Sequence, residues 1–269
     1  MVDLSRLLVT GGYGMVGQAL SFGVKTSHHE LDVLDNDGIR AICDRVNPSG
    51  ILCLSSVNLR NSEKNPLQAY AVNVFGVYNL ACEALRRKIP IILVSSGTVF
   101  HGSLESLFSE DDLPSPQNIY GQTKYLAEVL VRSMTDNYLI LRTGWLFGGK
   151  TQSSPVNKMI KLVKNSEEIT ATIDQKGSPT YLLDFVEKMK ELIDTDAHGI
   201  FHVVNGGAAS AADIAQEIIA YVESEPKLHL VKMSEIAGPP RSASEVLLSK
   251  KIKLRHWKEA LIDYLDSLS

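Results

Sequence analysis

The stretch Leu7-Leu8-Val9-Thr10-Gly11-Gly12-Tyr13-Gly14-Met15-Val16-Gly17-Gln18-Ala19-Leu20 limits what this chain can fold into more than any other. Its first residues form a short apolar run rich in Leu and Val, the pattern of a buried strand. The glycines make a turn, and Met15, Val16 and Leu20 resume an apolar pattern at helical spacing. Strand, tight turn and helix in that order suit a diphosphate, whose charge is met by free N–H groups and the positive end of a helix dipole while glycines let the backbone come close. Gly11, Gly14 and Gly17 are spaced G-x-x-G-x-x-G, one residue wider at the start than the ordinary dinucleotide fingerprint. A glycine-rich turn can also do no more than end a strand. The strand before this one and the helix after it favour a dinucleotide, with Gly11, Tyr13, Gly14, Met15, Val16 and Gly17 against it.

A chain of 269 residues has room for one large domain or for a nucleotide-binding core with a smaller lobe, and either buries a sizeable core. With 27 basic and 31 acidic residues the formal charge is -4, so no basic excess draws nucleic acid and a small-molecule ligand is expected. Cys43, Cys53 and Cys82 lie in apolar periodic segments without metal-ligand spacing, which reads as reduced core thiols of a cytosolic protein and no metal site. The opening Met1-Val2-Asp3-Leu4-Ser5-Arg6 enters the first strand without an apolar signal core, and no stretch approaches the ~18 uninterrupted apolar residues of a membrane span. A soluble, cytoplasmic protein without a membrane partner is expected.

Between the first helix and Glu30-Leu31-Asp32-Val33-Leu34-Asp35 there is room only for a shortened helix and a brief second strand near Gly23 to Thr26. Asp35, Asn36 and Asp37 then cap a helix through Ile39, Ile42 and Val46. Ile51-Leu52-Cys53-Leu54 reads as a buried strand with Ser55 and Ser56 at its carboxyl end, where an open parallel sheet binds ligands; simple strand termination is the other reading. Pro66 opens a long helix with Asn73 inside it, a poor helix former whose usual explanation is solvent exposure. Ile91 to Val94 is a further strand, ending in Ser95-Ser96-Gly97, and Tyr138 to Leu141 another. Strands alternating with helices in this way predict an α/β, Rossmann-type, doubly wound parallel sheet. Beyond Gly148-Gly149 the alternation loosens, which predicts a dinucleotide-binding domain over 1–148 and a smaller α/β substrate lobe over 149–269, partly interleaved with it.

Tyr120 and Lys124 are four apart on a helix and so share a face. A free tyrosine titrates near 10, and an adjacent ammonium that favours the phenolate makes it a usable proton donor or acceptor near neutral pH. Such a pair suits carbonyl chemistry. Y-x-x-x-K also arises in many helices where the lysine is merely solvated, and here its place after a glycine turn and a strand ending in hydroxyls is what gives it weight.

Further along stand Ala69-Tyr70-Ala71-Val72-Asn73, Glu110-Asp111-Asp112, Tyr120-Gly121 with Lys124, Leu141-Arg142-Thr143 with Trp145, Gly177-Ser178-Pro179-Thr180 and Gly199-Ile200-Phe201-His202. With the glycine turn and Ser95-Ser96 these resemble, in order and over nearly the whole chain, the extended short-chain dehydrogenase/reductase family and within it the dTDP-4-dehydrorhamnose reductase group. The resemblance implies reduction of a 4-keto nucleotide sugar by hydride from a nicotinamide. Tyr120 would protonate the ketone oxygen, Lys124 would bind the nicotinamide ribose and hold the tyrosine's pKa down, and Ser96, where these reductases usually carry threonine, would hydrogen-bond the carbonyl. Asn73 would support the site from behind, and Thr98, Trp145 and Arg241 would meet the sugar nucleotide. A core tryptophan is the other reading of Trp145. The family's Asp-Tyr after the catalytic threonine is here Gly97-Thr98, and its Arg-Pro-Ala-x-Ser segment is rearranged as Pro240-Arg241-Ser242-Ala243-Ser244. These departures lie on the sugar side.

In the ordinary fingerprint an acidic residue about 20 positions past the glycines binds the ribose 2′-hydroxyl and repels a 2′-phosphate, and counting nominates Glu30 or Asp32. The resemblance instead puts Glu30-Leu31-Asp32-Val33 after the second strand, with Asp32 and Val33 at the adenine. The strand end is then Lys25-Thr26-Ser27-His28, where Lys25, Ser27 and His28 suit a phosphate dianion. NADP(H) is therefore the expected cofactor, with NAD(H) possible. A nucleoside-diphosphate sugar is the expected partner of a monomer or homodimer. An epimerase, or a noncatalytic dinucleotide-binding regulatory subunit, are the competing functions.

Overall fold

Strand residues send successive side chains to opposite faces, so a strand covered on both sides must be apolar throughout. The computed structural model, which describes residues 2–149 and 154–268, shows this burial at every residue of Leu7–Thr10 and Gly50–Cys53 in a main sheet of six strands. They are β1 (Leu7–Thr10), β2 (Val24–Lys25), β3 (Gly50–Cys53), β4 (Ile91–Ser96), β5 (Tyr138–Thr143) and β6 (Gly199–His202). They form one parallel sheet in the order β6-β5-β4-β3-β1-β2. Leu8, Ile51, Leu93 and Ile140 face one side, against the helices Asn36–Val46, Gly76–Arg87 and Ile119–Met134. Leu7, Val9, Leu52 and Ile92 face the other, against Phe185 and Met189 of the Leu182–Asp194 helix. This is the doubly wound α/β architecture expected from the alternation. The chain runs from β1 outward to β2 and then returns to β3 on the other side, so the crevice at the carboxyl ends opens beside β1.

The helix after β1 is only Met15–Ala19, and β2 is two residues long. The long helix expected from Pro66 is three pieces: Pro66–Tyr70, a wider turn over Ala71–Phe75 in which Gly76 N–H reaches back to Ala71 O, and Gly76–Arg87. A further helix, Leu59–Lys64, precedes it without a periodic signal; Asn65 ends that helix and caps the next by accepting from Gln68 N–H at 3.2 Å.

Residues past 148 serve both halves of the molecule. β6 is the edge strand of the main sheet and the Leu182–Asp194 helix covers one of its faces, while the helices Pro155–Asn165, Ala211–Val222 and Trp257–Asp266 surround a separate core of Phe147, Tyr181, Trp257 and Leu261. The proposed division at 148/149 abuts residues 150–153, which lie outside the described residues.

A buried polar network ties β5 and β6 to the Ile119–Met134 helix. Arg142 donates from Nε and Nη2 to the Glu128 carboxylate at 3.0 and 2.7 Å, and its Nη1 lies 3.3 Å from His202 Nε2. Arginine can only donate, so Nε2 accepts and the His202 proton sits on Nδ1, which donates to Leu248 O at 3.1 Å. Burial holds His202 neutral, with its pKa lowered to about 4. Glu110 Oε1 accepts from His202 N–H at 3.1 Å, so three segments singled out in the sequence, around Glu110, Arg142 and His202, meet in one structural knot.

Burial pushes the Cys43 and Cys53 thiols up to about 11 and 12, leaving them inert, whereas Cys82 is partly exposed and is not the core residue expected. Among the described residues no helix is long and apolar enough to cross a membrane, and no group of three or more His, Cys, Asp or Glu could hold a metal ion.

Candidate active site

A cleft of about 540 Å³ opens where β1, β3, β4 and β5 end. Its first wall is the glycine turn, contributed by Gly11, Gly14, Met15, Val16 and Gly17. Gly11 has φ +62°, and a Cβ there would lie 2.7 Å from Ser55 N; a Cβ on Gly17 would lie 2.3 Å from Gly12 O. The turn is thus packed backbone on backbone. Gln18 N–H closes on Gly14 O at 2.9 Å, and the N–H groups of Met15, Val16 and Gly17 precede that bond, where a helix leaves its donors to a ligand.

Ser56, Ser96, Tyr120, Lys124 and Trp145 line the same cleft. Glu63 Oε1 and Asn118 Oδ1 each accept at 2.7 Å, from Ile119 N–H and Gly121 N–H, and so begin the Tyr120 helix. A Cβ on Gly121 would stand 2.2 Å from Thr98 O, so this glycine lets the helix start lie against the loop that follows Ser96. Ser96 Oγ accepts from Thr98 Oγ1 at 2.9 Å and from Thr98 N–H at 3.2 Å. With both acceptor positions used, its own proton is directed to the Tyr120 phenol oxygen.

Burial raises the Tyr120 phenol to about 12, the Ser56 and Ser96 hydroxyls pulling it back and the Glu245 charge pushing it further up. Burial lowers the Lys124 ammonium to about 8, with Cys53 and Glu128 supporting its charge. Burial outweighs the two hydroxyls, so the phenol is raised and not lowered as expected beside Lys124, and it holds its proton at neutral pH.

Asn73 is 1% exposed, which removes the solvent reading. Its Oδ1 accepts Val57 N–H at 2.7 Å, and its Nδ2 donates to Val57 O at 3.1 Å and to Thr123 Oγ1 at 2.9 Å. One amide thereby clamps the loop after Ser56 to the helix of Tyr120 and Lys124.

Two residues outside the expected site set also line the cleft. Ser95 Oγ and Thr143 Oγ1 are buried and have no hydrogen-bond partner among the described residues. Orphaned buried hydroxyls are costly unless a ligand completes them, so together with the glycine cradle they fit a dinucleotide's polar groups. Both stand at or beside strand carboxyl ends, and that rule could have found them.

Thr98 and Arg241 adjoin, with Trp145, a second cavity of about 170 Å³ that also touches Glu245 and Gln175. Trp145 is half-buried and lines both spaces; the core tryptophan is Trp257. Ser55 packs its backbone on Gly11. Tyr13 and Lys25 line a different cavity of about 390 Å³, where Lys25 Nζ donates to Leu20 O at 2.7 Å. Ser27 gives both its N–H and its hydroxyl to Glu30, at 2.7 and 2.8 Å, while His28 is exposed. Lys25, Ser27 and His28 are therefore not gathered into one anion site in this structure. Asp32 Oδ1 caps Leu34 N–H at 2.9 Å, and Val33 is a core residue against Gly76. A larger cavity, about 690 Å³, lies between Arg6, Pro48, Lys88 and His198 at the amino ends of the strands, away from all of these groups.

A doubly wound sheet with Ser96, Tyr120 and Lys124 gathered beside a glycine turn is the arrangement that the extended short-chain dehydrogenase/reductase resemblance implies. Residues 5–269 match the family described as RmlD substrate binding domain. The chain is 31% identical to the spore coat polysaccharide biosynthesis protein SpsK of Bacillus subtilis, over 99% of each chain. It is 30% identical to a dTDP-4-keto-6-deoxy-D-glucose reductase of Streptomyces niveus, over 95% of each. The crystal structure of dTDP-4-dehydrorhamnose reductase from Bacillus anthracis in complex with NADP superposes with a TM-score of 0.90 at 26% identity, covering 98% of this chain and 100% of that one. The chain belongs to the RmlD substrate binding domain family, the dTDP-4-dehydrorhamnose reductase-like branch of the extended short-chain dehydrogenase/reductases.

Proposed function

We propose that the protein is an NADPH-dependent reductase of the 4-keto group of a nucleoside-diphosphate deoxysugar, with NADH as an alternative reductant. The observation that carries this reading is the single cleft in which the glycine turn meets Ser96, Tyr120 and Lys124. The Streptomyces niveus reductase and the NADP complex of the Bacillus anthracis enzyme support the substrate class and the cofactor.

The dinucleotide would lie on the turn from Gly11 to Gly17 and complete the Ser95 and Thr143 hydroxyls. Bound there, a reduced nicotinamide supplies a hydride to the ketone carbon. Ser96 turns its hydroxyl proton from the Tyr120 phenol to the ketone oxygen and so favours the negative charge that develops on it. Tyr120, which burial keeps protonated, gives that oxygen its proton. Lys124 then faces a phenolate, and its ammonium opposes the cost of that charge; this is where its influence on Tyr120 enters. Trp145 separates the reacting groups from the adjoining cavity, where Arg241 offers a cation to the diphosphate. A panel of nucleotide 4-keto sugars with NADPH and NADH, followed by nicotinamide absorbance, tests the reading. Oxidation with at least one of them is expected, and none with any would reject it.

A further inference from the structure

Glu245 is a carboxylate with no task in the proton transfer, yet it is 7% exposed and lines the cavity beside the Tyr120 cleft. Its backbone comes to the reacting groups directly. A Cβ on Gly97, the residue after Ser96, would lie 2.8 Å from Glu245 O, so the absence of a side chain at 97 is what admits this segment. The segment is held firmly: Glu245 N–H donates to Lys176 O at 3.1 Å, and Leu247 N–H donates to Ser178 Oγ at 2.9 Å. The carboxylate is aimed by a single donor, Trp145 Nε1, at 2.5 Å from Oε1. Oε2 has no hydrogen bond among the described residues.

With Oε1 taken by the indole, Oε2 is the carboxylate oxygen left to the cavity, where a ligand can bring a donor to it. The donor's chemistry follows from the neighbours. A diphosphate would be repelled by the carboxylate, and Arg241, on the same cavity, is the group suited to it. The glycine cradle for the dinucleotide lines the other cavity, together with Tyr120 and Lys124, and Trp145 borders both. The ligand that reaches past Trp145 toward Arg241 is the sugar nucleotide, whose ring hydroxyls are donors. The close approach of its backbone to Gly97, the residue after Ser96, brings Glu245 near the reacting groups, and its charge raises the Tyr120 phenol.

We infer that Glu245 is the sugar-recognition residue of this site, its free carboxylate oxygen accepting a hydrogen bond from a ring hydroxyl of the nucleotide sugar. The inference rests on the reading of the cleft as a nucleotide-sugar site. It assigns a substrate class, sugars that keep a hydroxyl facing residue 245, and disfavours those deoxygenated there. Glu245 and Trp145 then act together, the indole fixing Oε1 so that Oε2 is presented to the sugar.

The test is calorimetric titration of the native protein and Glu245→Gln with dTDP-glucose and with dTDP alone. Glutamine keeps an oxygen for the Trp145 N–H, so the fold is retained. The native protein is expected to bind dTDP-glucose more tightly than dTDP. The variant is expected to lose roughly tenfold or more of its dTDP-glucose affinity, as for a hydrogen bond to a charged group, while dTDP affinity is unchanged. Equal losses for both ligands, or no loss for either, would overturn the inference. A native protein that binds the two equally would overturn it as well. A ligand-side arm needs no variant: among dTDP-glucose analogues that each lack one ring hydroxyl, one should bind the native protein roughly tenfold more weakly, and unchanged affinity throughout would also overturn it. Failure of the reductase reading is separable. Sugar-specific losses in a protein that turns over no keto sugar would keep Glu245 and reject the reaction, whereas turnover with unchanged sugar affinity in the variant would do the reverse.

Discussion

Asn73 and Thr123 are joined by a hydrogen bond of 2.9 Å between the Asn73 amide and the Thr123 hydroxyl, which in turn donates to Tyr120 O at 2.8 Å. The wider helical turn that carries Asn73 rotates its side chain inward, and the same amide holds both polar groups of Val57. Replacing it with the isosteric Asn73→Leu would leave the Val57 N–H and the Thr123 hydroxyl without this partner. The expected cost is about 1–3 kcal/mol of stability by urea denaturation, together with weaker NADPH binding as the loop after Ser56 loosens. Stability and cofactor affinity both unchanged would remove the clamp.

Lys124 predicts the alkaline limb of the pH profile. Its ammonium is lowered to about 8 by burial, and the charged form is the one that can oppose a Tyr120 phenolate. Turnover should therefore fall as pH rises through about 8, and Lys124→Ala should show no such limb on top of a lower rate and weaker cofactor binding. A native rate that stays flat to well above that pH would show that the lysine's charge is not used.

His202 predicts how acid unfolds the protein. Its folded pKa is depressed, about 4 against 6.5, so the unfolded chain binds its proton more readily than the folded one. Its contribution is full above 6.5 and is lost as pH falls toward 4, a change on the order of 3 kcal/mol. Denaturation midpoints measured across that interval should decline, and His202→Gln should flatten the decline. A native protein equally stable at both ends would mean that the Arg142 network tolerates an imidazolium.

Trp145 stands between two cavities, so its loss should be felt by the sugar and not by the dinucleotide. Trp145→Ala should raise KM for the sugar nucleotide several-fold by removing aromatic surface and freeing Glu245, with the Kd for NADPH unchanged. A parallel rise in both constants would make the indole a general support of the cleft.

What was legible beforehand follows from locality. The strand from Leu7 to Thr10, the helix cap at Asp35 and the hydroxyls ending β4 are written in consecutive residues, because period and capping are short-range physics. The pairing of Tyr120 with Lys124 was legible for the same reason. The inward place of Asn73 was not, since its partners, Val57 and Thr123, are 16 and 50 residues away. Glu245 carries no local signal at all: it reaches the site because Gly97 leaves space and Trp145 supplies a donor, both far back along the chain. The expected anion site at Lys25, Ser27 and His28 was inferred from side-chain chemistry and from the resemblance, and the structure gives two of those groups intramolecular partners, Leu20 O and the Glu30 carboxylate.

The most direct measurement is single-turnover reduction of a nucleoside-diphosphate 4-keto-6-deoxysugar by NADPH, compared between the native protein and Tyr120→Phe. Phenylalanine keeps the ring and removes only the proton that burial retains on the phenol. The native protein should oxidise NADPH with formation of the 4-hydroxy sugar, and the variant should be slower by a factor on the order of a hundred or more with its NADPH affinity intact. Near-native turnover in Tyr120→Phe, or no turnover in the native protein with any such sugar, would contradict the account.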